Sequence, residues 1–241
     1  MKDVTGVIKT YYSFLRCLKS HRRKIAALQL SGKLEHWLVS EYVYHIYKVS
    51  GGGRFAITNT GKRNENERKI DLVVLGGELR AGRTRLYRDQ ATARALIEAK
   101  YFCNLRCMGF GSACDEIGPT IKSLSSQLYH YPEDSHGGFD VHLVGHGDVY
   151  GLIFASHVQT RGEGQEPIGG SPKDFLSDIY QRAKRDGLRY HDVKHPWLRN
   201  VFGRPQRITA LGRMYQVSLY AGLWRMTKVK QHKKAMAASA A

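Results

Sequence analysis

Acidic residues are missing from the last fifth of this sequence. Between Val193 and Ala241 there are ten Lys or Arg and no Asp or Glu. Met1 to Lys33 has eight basic residues against Asp3 alone, while residues 34–192 hold equal numbers of each sign, so the net charge of +17 sits at the two ends. Such a distribution points to a polyanionic partner that clamps onto basic flanks around a balanced middle; a basic solubility surface is the plainer alternative. Also lacking is any apolar run near the roughly 18 residues of a spanning helix, and "MKDVTGVIKTYYSFLRCLKS" has no unbroken apolar signal core. The expectation is a soluble, cytoplasmic protein with no membrane partner. The segment "TKVKQHKKAMAASAA" has charge enough for anionic lipid but no apolar anchor, and reads as a frayed, disordered basic tail over 226–241. Cysteine is sparse, at 17, 103, 107 and 114. The spacing C-x3-C-x6-C, with His130, His136, His142 and His146 downstream, permits zinc; small buried thiols are the alternative.

What is present suffices for one sizeable core, since 42% of the 241 residues are apolar. Helical spacing recurs at Val4, Val7, Ile8, Tyr11, Phe14, Leu15 and Leu18, and again at Leu34, Trp37, Leu38, Tyr42, Ile46 and Val49. "RFAIT" and "RKIDLVVLG" read as strands, followed by a basic insertion, "GGELRAGRTRLYRDQ", and a further strand at "ALIEAKYF". Helical spacing returns in "IGPTIKSLSSQLYHY", a strand or hairpin follows in "FDVHLVGHGDVYGLIFASHV", and "TRGEGQEPIGGSP" has loop composition. Residues 173–186 and about 207–229 read as helices. The order predicts a single α/β domain over 1–225, with its core at about 33–155 and helical additions at both ends.

Within "ALIEAKYF" the side chains alternate, so Leu96, Glu98, Lys100 and Phe102 share one strand face while Ala95, Ile97, Ala99 and Tyr101 share the other. An E-x-K pair on a strand is often a surface ion pair. Here a second acid, Asp71, opens the apolar strand "IDLVVLG", so two strands each set a carboxylate in apolar surroundings. Like charges about 4 Å apart repel by ~4 kcal/mol at a protein-surface dielectric. A hard divalent cation offsets that repulsion, taking one or two carboxylates with water and phosphate. Lys100 then stands beside the site as a cation that orients the attacking water.

Asp71 followed by Glu98-Ala99-Lys100, each on a strand and preceded by an acid-bearing helix, resembles the PD-(D/E)xK nuclease superfamily over roughly residues 33–155. The resemblance implies a restriction-endonuclease-like mixed sheet flanked by helices, with extra N- and C-terminal helices. It also implies Mg2+-dependent hydrolysis of DNA phosphodiesters, with Mn2+ able to substitute, and an endonuclease as the first expectation. Asp71 and Glu98 match the two acids, Lys100 the lysine, and Ala99 the variable position whose carbonyl completes the metal shell. The glutamate that many members add from the preceding helix is matched by Glu35, in the run E-x-x-L-V, with Glu41 in reserve. Gln127 and Tyr131 are similar to the Q-x-x-x-Y element of RecB-like exonucleases. The pattern departs from the family at Ile70, where proline is usual, and in the long interval from Asp71 to Glu98, which must hold an insertion. That insertion, as a hairpin 76–92 with Arg80, Arg83, Arg85 and Arg88, and the loop 159–172 are expected beside the site as substrate selectors. Lys228, Lys230, Lys233 and Lys234 are expected to contact phosphate. DNA is the implied partner, and a homodimer or a larger defence or recombination complex is compatible.

Two other readings remain open. His142, His146 and Asp148 alternate along one segment as transition-metal ligands would, and His191, Asp192 and His195 form a similar cluster that equally suits phosphate. A nucleic-acid-binding module with the same fold and vestigial acids would need no chemistry at all. Against it, Glu35, Asp71, Glu98 and Lys100 are all present.

Overall fold

The computed structural model describes residues 6–30, 34–50, 54–60, 70–76, 92–104, 117–130, 149–161, 171–186, 188–190 and 198–226. In chain order its elements are α1 (Val7–Ser20), α2 (Arg22–Leu30), α3 (Leu34–Val49), β1 (Arg54–Thr60), β2 (Ile70–Gly76), β3 (Thr92–Cys103) and α4 (Ile117–His130). There follow β4 (Val149–Arg161), α5 (Pro172–Arg185), β5 (Leu188–Tyr190), β6 (Arg199–Asn200), β7 (Gln206–Ala210) and β8 (Arg213–Met226). All eight strands join one mixed sheet, ordered β1-β2-β3-β4-β8-β5, with β6 and β7 also on β8. Only β3 and β4 run parallel among the described pairs. Parallel neighbours cannot be joined by a tight turn, so the chain must cross over between them, and α4 lies on that crossover.

The sheet carries helices on both faces. On one, Leu38, Tyr42 and Ile46 of α3 and Tyr11 and Phe14 of α1 pack over Leu72, Ile97, Ala99, Leu152 and Leu219. Burying each of these large side chains contributes roughly 1.5–3 kcal/mol. The two helices are also tied by polar contacts. The Tyr42 hydroxyl donates to Val7 O at 3.3 Å, and His45 Nε2 meets Ser13 Oγ at 2.9 Å. On the opposite face Ile117, Ile121 and Leu124 of α4 and Phe175 and Ile179 of α5 cover Leu96, Phe102, Ile153 and Trp224. Ser171 caps α5 by accepting the Lys173 amide, with proline at the first helical position.

Four expectations are corrected. The opening segment forms three helices rather than two, because Ile25, Ala26 and Gln29 supply α2 with its own buried face. Residues 207–229 are not a helix: β7 and β8 form a hairpin in which Ala210 pairs with Arg213. Its two-residue turn holds Leu211 at φ 51 and Gly212 at φ 71, both positive as a primed hairpin turn requires. The helical reading failed because β8 is buried on both faces, Val217, Leu219, Ala221 and Leu223 against one layer and Trp224 against the other. A strand buried twice loses its polar–apolar alternation and reads like a core helix. The sheet therefore runs to Met226, past the limit expected near 155. Finally, Gln159, Thr160 and Arg161, expected in a loop, complete β4.

Candidate active site

The antiparallel ladder of β2 and β3 runs from Gly76↔Thr92 to Leu72↔Ile97, with an irregularity between Val74 and Leu75. There it stops, while β3 continues to Cys103 along β4. One further step of that register sets Asp71 opposite Glu98, and opposed residues of an antiparallel pair share a face. Past Ile97 the amides on the β2 side of β3 have lost their strand partner and must find other acceptors. Side chains provide them. The Ala99 amide donates to Asp71 Oδ2 at 2.8 Å, and the Tyr101 amide donates to Glu35 Oε2 at 3.0 Å. Asp71's own amide donates to Glu98 Oε2 at 3.3 Å. Three carboxylates thus gather where two strands part, Glu35 carried there by the first turn of α3.

Lys100 Nζ lies 2.6 Å from Glu98 Oε1; Glu98's side chain is 3% exposed and that of Lys100 19%. Glu98 therefore has a buried carboxylate whose two oxygens meet an ammonium and an amide. On the neighbouring strand Glu98 pairs with Gly151, which pairs in turn with Trp224. Gly151 brings no side chain to that face next to the carboxylate, and it stands in the apolar run "YGLIFAS".

Burial pushes the Glu35 carboxyl above its ordinary value; Lys100 opposes this, Asp71 adds to it, and the Tyr101 amide opposes it. For Lys100, burial favours the neutral amine, but Glu98, with Asp71 and Glu35 beyond it, outweighs burial and raises the pKa above the ordinary lysine value. The carboxylates around Lys100 thus favour its charged form.

The structure brings together Glu35, Asp71, Glu98, Ala99 and Lys100. Glu41 is not among them: it stands about 9 Å further along α3 and turned to another side of it. Gln127 falls on α4, with its side chain outside the described residues. Tyr131, Arg80, Arg83, Arg85, Arg88, Lys228, Lys230, Lys233 and Lys234 lie outside them as well, as do Cys107, Cys114, His142, His146, Asp148, His191, Asp192 and His195. The tail 227–241 lies outside them too. Among the described residues no group of three or more His, Cys, Asp or Glu is placed to hold a metal ion. Asp71 and Glu98 nevertheless supply a pair of hard oxygen donors, the number Mg2+ commonly takes from protein when water and substrate complete its shell. No helix among the described residues is long and apolar enough to cross a membrane.

No family model, no curated protein and no solved structure matches the chain. The site therefore has to be read from its own chemistry.

Proposed function

We propose that this chain is a divalent-metal-dependent nuclease of the PD-(D/E)xK type that hydrolyses DNA phosphodiester bonds. The observation that carries the reading is the parting of β2 and β3, at which Asp71, Glu98 and Glu35 meet with Lys100 at their side. In a structural sheet the amides of Ala99 and Tyr101 would have been paired by a longer β2. Capping them with carboxylates concentrates negative charge at a part-buried sheet end and sets a lysine beside it.

Asp71 and Glu98 would hold Mg2+ or Mn2+, with Glu35 and the Ala99 carbonyl next to them. The cation supplies positive charge that offsets the scissile phosphate and activates water. The protein's own part is electrostatic and positional. Backbone amides orient the Asp71 and Glu35 carboxylates, and Lys100, held beside Glu98, would supply a positively charged donor to the bound phosphate or the attacking water. Asp71→Asn and Lys100→Met are each expected to lower cleavage of a mixed DNA substrate by orders of magnitude in Mg2+, to the level seen with EDTA. Cleavage at the rate of the unaltered protein by either variant overturns the reading.

One observation favours a second reading: each of the three carboxylates already accepts a bond from the protein itself. Acids acting only as caps of a sheet end would belong to a nucleic-acid-binding module without activity. In that case Asp71→Asn would lower stability and leave no turnover to lose.

A further inference from the structure

On the face of the sheet that carries α1 and α3, a cleft of about 550 Å3 opens between α1 and β6, lined by Tyr12, Leu15, Arg16, Lys19, Arg199 and Val201, with Asn200 at its edge. Three of its side chains are cations and none is an acid. Arg16 and Lys19 are three residues apart on α1, where like charges repel by a few tenths of a kcal/mol, and Arg199 adds a third charge from another element. We infer that this cleft is a second binding site, separate from the carboxylate cluster, and that it holds a backbone phosphate of a nucleic acid.

The site is built rather than incidental. Arg199 lies with its guanidinium 4.6 Å from the Tyr12 ring centroid, which fixes the plane of its donor fork. Its strand is held against β8 by Asn200↔Tyr220 pairing and by the Val201 amide, which donates to Leu219 O at 2.7 Å. The Asn200 side chain accepts the Gly203 amide at 2.9 Å, closing a turn in which Gly203 sits at φ 76. A Cβ on Gly203 would stand 3.8 Å from Lys19 Nζ, so this turn and the ammonium share one small space. A planar guanidinium held over a ring beside two mobile cations suits a phosphate, which takes bidentate and point-charge donors together.

The shape of the cleft favours a nucleic-acid strand over a lipid headgroup. Arg16 and Lys19 are exposed, whereas Arg199 is half-buried against Tyr12, so a charged surface laid flat on the protein meets two of the three cations, while a phosphate on a chain that enters the cleft meets all three. The identity of the polyanion rests on the proposed function; the cleft itself does not.

The test uses the full chain in EDTA, so that binding is read without cleavage and failure here is separable from failure of the nuclease reading. Affinity for a labelled random-sequence duplex is measured across salt for the unaltered protein, for Arg16→Gln with Lys19→Gln, and for Arg199→Gln. Arg207→Gln with Arg213→Gln, exposed on the β7–β8 hairpin at the end of β8 away from both sites, removes the same charge elsewhere. Losing one phosphate contact lowers the salt slope by ~0.9, so affinity should fall about 3.5-fold less between about 50 and 200 mM salt, equally for all sequences. Arg16 and Lys19 are exposed, so their variant folds even if Arg199→Gln does not. An unchanged slope, or an equal loss in the hairpin control, overturns the proposal. So does loss of binding to anionic phosphatidylserine vesicles with duplex affinity intact.

Discussion

Replacing Lys100 by methionine leaves the Glu98 carboxylate, 3% exposed, without its ammonium. Removing one partner of a buried ion pair costs about 3–5 kcal/mol, chiefly because the other charge stays buried and uncompensated. Lys100 itself is 19% exposed, so water reaches the site and the lower end, about 3 kcal/mol, applies. In a chain of this size that lowers Tm by about 6–12 °C. Adding Glu98→Gln removes the stranded charge while keeping an oxygen for the Asp71 amide, so the double variant should recover most of the loss, to within about 1 kcal/mol of the unaltered protein. The unaltered protein, Lys100→Met, Glu98→Gln and the double variant are compared by urea unfolding, followed by tryptophan fluorescence, to which the buried Trp224 contributes. Saturating Mg2+ supplies the missing positive charge, and at a hundredfold excess over its Kd stabilises by about 2.7 kcal/mol. It should rescue Lys100→Met and do little for the double variant, which lacks a ligand. If Lys100→Met unfolds at the same urea concentration as the unaltered protein, or if the two substitutions are additive, Glu98 does not depend on the lysine and the electrostatic account of the site is wrong.

Other consequences are independent of activity. Glu35 is more easily protonated folded than unfolded, so its contribution favours the fold at low pH and is lost as pH rises from about 4.5 through its raised folded value. Glu35→Gln should therefore gain stability relative to the unaltered protein as pH increases over that interval, read as the difference in Tm. Burial, then Lys48 and Arg16, hold the His45 imidazole below its ordinary value, so unfolded chains bind the proton better and stability falls as pH drops below about 6.5. His45→Phe should flatten that acid limb; an unchanged slope would place the sensitivity elsewhere. At the β7–β8 turn Gly212 has open space around the position of a Cβ, so Gly212→Ala should cost only the left-handed backbone term, about 1–2 kcal/mol, while Leu211→Asn should raise Tm slightly.

The candidate site stood out in the sequence because its residues contradict their surroundings. Glu98 and Lys100 interrupt an apolar run and Asp71 opens another, and no packing argument explains those letters. Even so, periodicity placed β3 as a strand with one core face, whereas Leu96 and Phe102 bury the other face as fully as Ile97 and Ala99 bury theirs. The same double burial hid β8. Its turn had only one strong letter, Gly212, because the other positive-φ position is filled by leucine, which almost never signals one. β5 and β6 are three and two residues long, set by their pairing with β8 and not by any pattern of their own. Glu35 was legible as the acid of the helix before the strands; that it would accept the Tyr101 amide was not, since nothing in the letters tells where a ladder ends.

The strand that completes the sheet is also the last described element to be synthesised. β8 pairs with β4 along Tyr150–Arg161 and with β5, β6 and β7 on its other side. A ribosome adding 5–20 residues per second leaves the long edge of β4 bare for roughly 3–13 s after Arg161 is joined. An apolar edge of that length templates pairing with other chains. Nascent copies on one message are therefore at their most adhesive between the joining of Arg161 and the joining of β8, and any stop codon ahead of Arg213 would release a chain with this edge of β4 left without β8.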